Sequence, residues 1–228
     1  MVKVLELFSG THSVGKVAKE KGWEVVSLDL NNADINIDIL EWNYMIYDSN
    51  EFDIIWASPP CDTFSMMRRS WIGRKNSKFG DNIITNELLD NDMIENGLPI
   101  VYKVLEIIEY FDPKLYFIEN PSTGKMKEYI GLPFYDVTYC KYSNWGYRKP
   151  TRIWTNKKNF IPKYCRNDCE NMMDKKKHKV TMNGKGKDKN QQSLGGSNKL
   201  SERYRIPPKL IEELFGNYQD NMTNLATT

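Results

Sequence analysis

Short apolar runs alternate with helix-like stretches from residue 2 to residue 155, and this alternation restricts the chain to a sheet whose strands are joined through helices. VKVLELFSG, from Val2, reads as a strand entering a turn. Val14, Val17 and Ala18 then recur at helical spacing, and Gly22 stops that helix before the next strand, WEVVSLDL. FDIIWAS and LYFIEN read as further buried strands, the second preceded by an amphipathic helix that places Val101, Val104, Leu105 and Ile108 on one face. YDVTYC and TRIWTN suggest later strands. The expectation is an α/β, Rossmann-like, mostly parallel doubly wound sheet.

A chain of 228 residues, 40% hydrophobic, can fill the core of one catalytic-size domain with a small appendage. Its apolar runs are too short to span a membrane, and the start MVKVLELFSG lacks the apolar core and cleavage site of a secretory signal. A cytoplasmic protein is expected, in a bacterial cell or in a host cell if viral. Four cysteines, at 61, 140, 165 and 169, are then read as thiols, ligands or core before disulfides. The formal net charge is only +2, so any electrostatic signal lies in its distribution.

That distribution divides the chain. Residues 1–155 form the main domain. Residues 156–200 are poor in branched apolar side chains and rich in Lys and Asn, which marks a short basic insertion. Residues 201–228 restore helical periodicity through Leu210, Ile211 and Leu214, behind Pro207 and Pro208 as a helix entry, and return to the first domain.

Chemistry concentrates at strand ends. LFSGTHSVG opens the first helix, where open α/β sheets hold cofactors and free N–H groups suit a carboxylate, although only Gly10 and Gly15 are present and the dinucleotide spacing is not met. Asp29 ends the second strand, placed for ribose hydroxyls or for a simple turn, and Asp38 follows a third apolar stretch. Cys61 follows Pro59 and Pro60 past a strand end, so a rigid turn presents its thiol; the alternative is a small apolar filler. The loop beyond it carries Arg68, Arg69, Arg74, Lys75 and Lys78 with no acid from 65 to 78, which reads as a phosphate-contacting lid or a solvated charge run. Glu119 and Asn120 end another buried strand and project toward the same crevice.

ELFSGTHSVG, ASPPCDTFS, FIENP and GYRKPTRIW, in this order, resemble the motifs of the DNA cytosine-5 methyltransferase family, over roughly residues 1–155. The resemblance implies S-adenosylmethionine as cofactor and methyl transfer to carbon 5 of cytosine in DNA, with base flipping. Cys61 would attack carbon 6, Glu119 would hold the base's N3/N4 edge, and Arg152 would complete the catalytic set. Phe8, Ser9, Gly10 and Thr11 would form the cofactor turn, Asp29 the ribose acid and Asp38 the adenine acid, with Ile39 and Ser58 in the same pocket. Arg68, Arg69, Arg74, Lys75 and Arg148 would contact DNA. RNA or a free nucleotide is an alternative substrate, and a non-catalytic nucleic-acid-binding relative an alternative class.

The departures are specific. Asp62 stands where the family has glutamine and opposes thiolate formation unless it points away; Pro150 replaces the first arginine of the late basic motif, with Arg148 a substitute. The insertion is too short for a full target-recognition domain, so a short or relaxed target sequence is expected, down to a dinucleotide. Cys165, Cys169 and His178 offer three zinc ligands in 14 residues, with no fourth evident and Cys140 the other spare cysteine. Residues 174–189 carry seven lysines against two aspartates, a solvated loop or a DNA-backbone patch. A monomer is expected, with no membrane partner and a partner restriction endonuclease compatible but unspecified.

Overall fold

The computed structural model describes residues 1–182, 191–194, 200–216 and 218. The lysines at 185, 187 and 189, the Gly/Ser-rich run after Leu194, Asn217 and the residues after Tyr218 lie outside the described residues.

Seven strands form one sheet: β1 (Lys3–Leu7), β2 (Glu24–Asp29), β3 (Ile35–Asn36), β4 (Ile54–Ala57), β5 (Leu115–Pro121), β6 (Phe134–Thr138) and β7 (Pro150–Thr155). Their order is β3-β2-β1-β4-β5-β7-β6, parallel through β5, with β7 antiparallel to both β5 and β6. The sheet is Rossmann-like, and the winding direction reverses between β1 and β4. Loops leaving these two neighbours at their carboxyl ends diverge and open a crevice.

Alternation along the strands sends side chains to two separate cores. In β1, Leu5 and Leu7 join the core under α3 (Leu98–Phe111), whereas Val4 joins the opposite core against α1 (Ser13–Glu20) and α5 (Pro208–Phe215). α3 is continuous with α2 (Asn86–Asp92) through a π-helical turn at Met93–Gly97. Gly97 is needed there, because a Cβ would collide with Thr63 Oγ1 and approach the Phe64 ring at 3.0 Å. The helix can therefore lie directly beneath the loop that follows β4.

On the other face, α5 begins as its sequence suggests, with Pro207 at the N-cap and Pro208 in the first turn. Leu210, Ile211, Leu214 and Phe215 are fully buried. The Phe215 ring lies 5.1 Å from Trp23, 6.0 Å from Phe117 and 6.4 Å from Trp56, centroid to centroid, in tilted and edge-on arrangements that suit aromatic quadrupoles. A segment distant in sequence thus seals the face that α1 alone leaves open. The short α4 (Leu200–Tyr204) precedes it.

Residues 156–182 have little regular structure, yet Phe160, Cys165, Asn171 and His178 are buried. A two-stranded ladder of β8 (Val180–Thr181) and β9 (Gln192–Ser193) closes this segment. No described helix is long and apolar enough to cross a membrane. Truncating Phe215 to Ala should cost about 3–5 kcal/mol, measured as a lower urea midpoint with an unchanged m-value, because three aromatic neighbours lose their common partner.

Candidate active site

The crevice beside β1 and β4 contains a cavity of about 450 Å³. Its wall includes all eight residues expected from sequence to meet a cofactor: Phe8, Ser9, Gly10, Thr11, Asp29, Asp38, Ile39 and Ser58. Cys61 and Glu119 line the same cavity. The first turn is sharply coiled, with Phe8 and Gly10 at φ 60° and 36°, and Gly10 N–H donates to Asp29 Oδ2 at 2.9 Å. Leu30 N–H occupies Asp29 Oδ1 at 2.7 Å, and Leu40 N–H donates to Asp38 Oδ1 at 2.9 Å, so backbone donors set the orientation of both carboxylates. Ser9 Oγ is buried in the cavity wall without a hydrogen-bond partner among the described residues. An orphaned hydroxyl there suits a polar ligand and is costly without one.

One expectation changes. Two N–H groups at the α1 N-terminus are already taken, because the buried Glu6 carboxylate accepts from Val14 at 3.1 Å and from Gly15 at 2.9 Å. Burial pushes the Glu6 pKa up to about 7, against the pull of those two donors. Gly15 is required by this cap, since a Cβ would lie 2.7 Å from Glu6 Oε2.

Pro59, Pro60 and Cys61 leave β4 as an extended turn pinned from β5: Asn120 Nδ2 donates to Pro59 O at 2.9 Å. Cys61 is partly buried, and burial raises its pKa; Lys149 lowers it, and Glu119 and Asp62 raise it. Asp62 is exposed and points to Lys78, at 3.3 Å, so part of its charge is met by a cation. Glu119 is buried and engaged on Oε1 by Tyr139, whose hydroxyl donates at 2.9 Å, and by Lys149 Nζ at 3.4 Å. Lys149 is held in turn by Arg203 O at 3.3 Å and sits 4.7 Å over the Tyr139 ring.

Arg152 is not in the cavity. It lies across from Asn120 and Asp136, whereas Glu119 pairs with Ile153, so alternation puts Arg152 on the other sheet face. There its guanidinium makes two 2.8 Å bonds to Asp136 and stacks 3.5 Å from the Phe134 ring centroid. Lys149, on the cavity wall, is the cation near Glu119, and the sequence reading missed it. Tyr139 was missed likewise.

The basic loop also divides. Arg68 is buried, donating to Thr63 O at 3.1 Å and pairing with Asp92, so it is structural and unavailable to a polyanion. Arg69 pairs with Asp90 at 3.2 Å. Arg74 and Lys75 are exposed, the latter 3.4 Å from Asp81. Arg148 is exposed on the far side of Lys149, near Tyr164 and Cys165 O.

Away from the cavity, Cys165, Cys169 and His178 converge as expected, and Cys140 joins them: their four ligand atoms lie within 4.8 Å of one another, a group able to hold a metal ion.

No family profile matches the chain. The chain is 43% identical over 223 residues to the "Probable DNA (cytosine-5)-methyltransferase" of Frog virus 3 (isolate Goorha), a match covering 93% of the chain and 98% of the relative. The chain belongs to the DNA (cytosine-5)-methyltransferase family. Among solved structures, the methyltransferase EhMeth of Entamoeba histolytica is 16% identical, with a TM-score of 0.49 over 72% of the chain and 56% of its own length. The Dnmt2 methyltransferase of S. pombe is 15% identical, with a TM-score of 0.43 over 73% and 52%. The chain thus spans about half the length of these solved methyltransferases.

For this methyltransferase the buried Glu6 has a measurable signature. Its pKa, raised from 4.5 to about 7, means that the folded state keeps a proton the unfolded chain has lost. That stability is fully present below pH 4.5 and is lost as pH rises through 7, by roughly 3 kcal/mol. Glu6→Gln should flatten the dependence of Tm on pH between 5 and 8, read by calorimetry.

Proposed function

We propose that Cys61 and Glu119 together methylate carbon 5 of cytosine in DNA through a transient bond from Cys61 Sγ to carbon 6. The observation that carries this reading is their meeting in one cavity with all eight residues expected at the cofactor. The orphaned Ser9 hydroxyl and the carboxylates of Asp29 and Asp38 fit S-adenosylmethionine, which supplies an electrophilic methyl group when bound.

Carbon 5 of cytosine is a weak nucleophile. Addition of the Cys61 thiolate to carbon 6 makes carbon 5 electron-rich, and loss of the carbon 5 proton after methylation lets the Sγ–C6 bond break and frees Cys61. Glu119 holds the N3/N4 edge and stabilises charge that accumulates in the ring as Cys61 adds. Both observed contacts to Glu119 fall on Oε1, which directs the carboxylate as it receives a base. Lys149, in place of Arg152, supplies the cation of the catalytic set: it favours the thiolate of Cys61 and pairs with Glu119. Arg69, Arg74, Lys75 and Arg148 supply the basic rim for DNA phosphates, without Arg68. We also propose that residues 156–200 are a reduced target-recognition region, and that zinc at Cys165, Cys169 and His178 shapes it without entering methyl transfer.

Cys61→Ala should lower tritiated methyl transfer to duplex DNA by at least about 10³-fold while the Kd for S-adenosylmethionine stays within about twofold. Transfer that persists in this variant, or that goes to RNA or free cytidine nucleotides and not to DNA, overturns the reading. Because burial raises the Cys61 pKa and Lys149 opposes the shift, kcat/KM should rise with pH above 7. Lys149→Met should move that rise to higher pH, measured beside the pH dependence of Cys61 alkylation.

A further inference from the structure

The chain between Tyr139 and Lys149 is irregular, yet its first and last residues both face Glu119. Something must hold it in place. Cys140 lies in the 3-10 turn Tyr139–Lys141 immediately after β6, with its side chain buried away from the cavity. Twenty-five residues on, the run Cys165 to Cys169 forms a tight turn in which Asn167 takes φ 65°. His178 brings Nε2 to 3.5 Å from Cys165 Sγ and 3.3 Å from Cys169 Sγ. Cys140, Cys165 and His178 are buried and Cys169 partly so, and the four ligand atoms all lie within 4.8 Å of each other.

The two His178–sulfur separations, 3.5 and 3.3 Å, are close to those of neighbouring ligands in a tetrahedron. With Zn–S near 2.3 Å and Zn–N near 2.0–2.1 Å, neighbouring ligand atoms sit about 3.5–3.8 Å apart. Three thiolates and one imidazole are the donor set of a closed structural zinc site, with no position left for water or substrate. None of the four lines the cavity, which separates the group from the chemistry at Cys61. A polar segment with so few branched apolar residues also needs some source of order beyond a hydrophobic core.

The contacts around the group lead back to the active site. Asn171 Nδ2 donates to Cys140 O at 2.8 Å and to Ser143 O at 2.7 Å, and its Oδ1 accepts from Gly146 N–H at 3.0 Å. Val180 N–H donates to Gly146 O at 2.9 Å, and Tyr147 bridges to Val180. The metal-ligating segment is therefore laid along the chain that ends at Lys149.

We infer that Cys140, Cys165, Cys169 and His178 bind one zinc ion as a closed Cys₃His centre, and that this centre braces Tyr139 and Lys149 against Glu119. The second half rests on the proposed role of Glu119; the first does not. The purified full-length chain should contain one zinc, measured by mass spectrometry of the metal. Cobalt(II) in its place should show the visible absorption of a tetrahedral thiolate site. Cys140→Ser should weaken zinc binding by at least about tenfold, Cys140→His should retain it as a ligating substitute, and Cys61→Ala should keep one zinc per chain. Removing zinc with a chelator should lower kcat for methyl transfer by at least about tenfold, with the Kd for S-adenosylmethionine within about twofold. Absence of stoichiometric zinc, or unchanged zinc affinity in Cys140→Ser, overturns the centre, and methyl transfer by such a preparation leaves the proposed function standing. Unchanged kcat after zinc removal overturns the bracing alone. One zinc per chain with no methyl transfer on any cytosine substrate overturns the methyl-transfer reading, and the bracing with it, while the centre stands.

Discussion

Parallel pairing of β1 with β4 is the constraint on which the rest of the molecule depends. The register Leu7 to Ala57, extended by Ser58 N–H donating to Leu7 O at 3.2 Å, brings two strand ends to the same level of the sheet. The Phe8–Thr11 turn and the Pro59–Cys61 turn then leave side by side and part, because their chains wind to opposite faces. β5 continues the alignment, with Ala57 level with Ile118, so Glu119 emerges one residue above the floor on which Cys61 is presented. Both cores serve this register by clamping the same strands from either side.

Much of this was legible in the sequence because it is local. A strand that ends in Pro-Pro-Cys, an acid two positions from the end of the next buried strand, and an aspartate closing β2 are each visible within a few residues. Parallel strands bring such ends to one edge without further information. Lys149 escaped for the opposite reason. β7 runs antiparallel, so its entrance, not its exit, lies at the crevice, and which of its alternating residues face Glu119 depends on a register set by β5 and β6. Arg152, an arginine in the expected motif, falls on the wrong parity. Arg68 escaped because its burial is set by Asp92, 24 residues away, and Cys140 because nothing local links it to Cys165.

The loop after Cys61 joins these levels. Its charges looked like a uniform basic lid, but Arg68 and Lys78 both reach Asp92 at the end of α2, the latter at 3.0 Å, and this anchors the loop to the helix layer. Such an anchor keeps the turn bearing Cys61 in place while Arg74 and Lys75 remain at the surface. A buried arginine paired with a carboxylate adds little net stability against an apolar alternative, and its contribution is to orientation.

Glu6 carries one last consequence, for ligand choice. In many sheets of this architecture the first helix receives a pyrophosphate on its free N–H groups, and the same adenosine-binding crevice serves nucleotides. Here the chain has placed its own carboxylate on Val14 and Gly15 N–H. A phosphate approaching that helix would meet an occupied dipole and, above neutral pH, a like charge. A ligand entering this crevice therefore finds the N–H groups of Val14 and Gly15 already taken, through a single acid on β1 and a glycine on α1 that leaves it room.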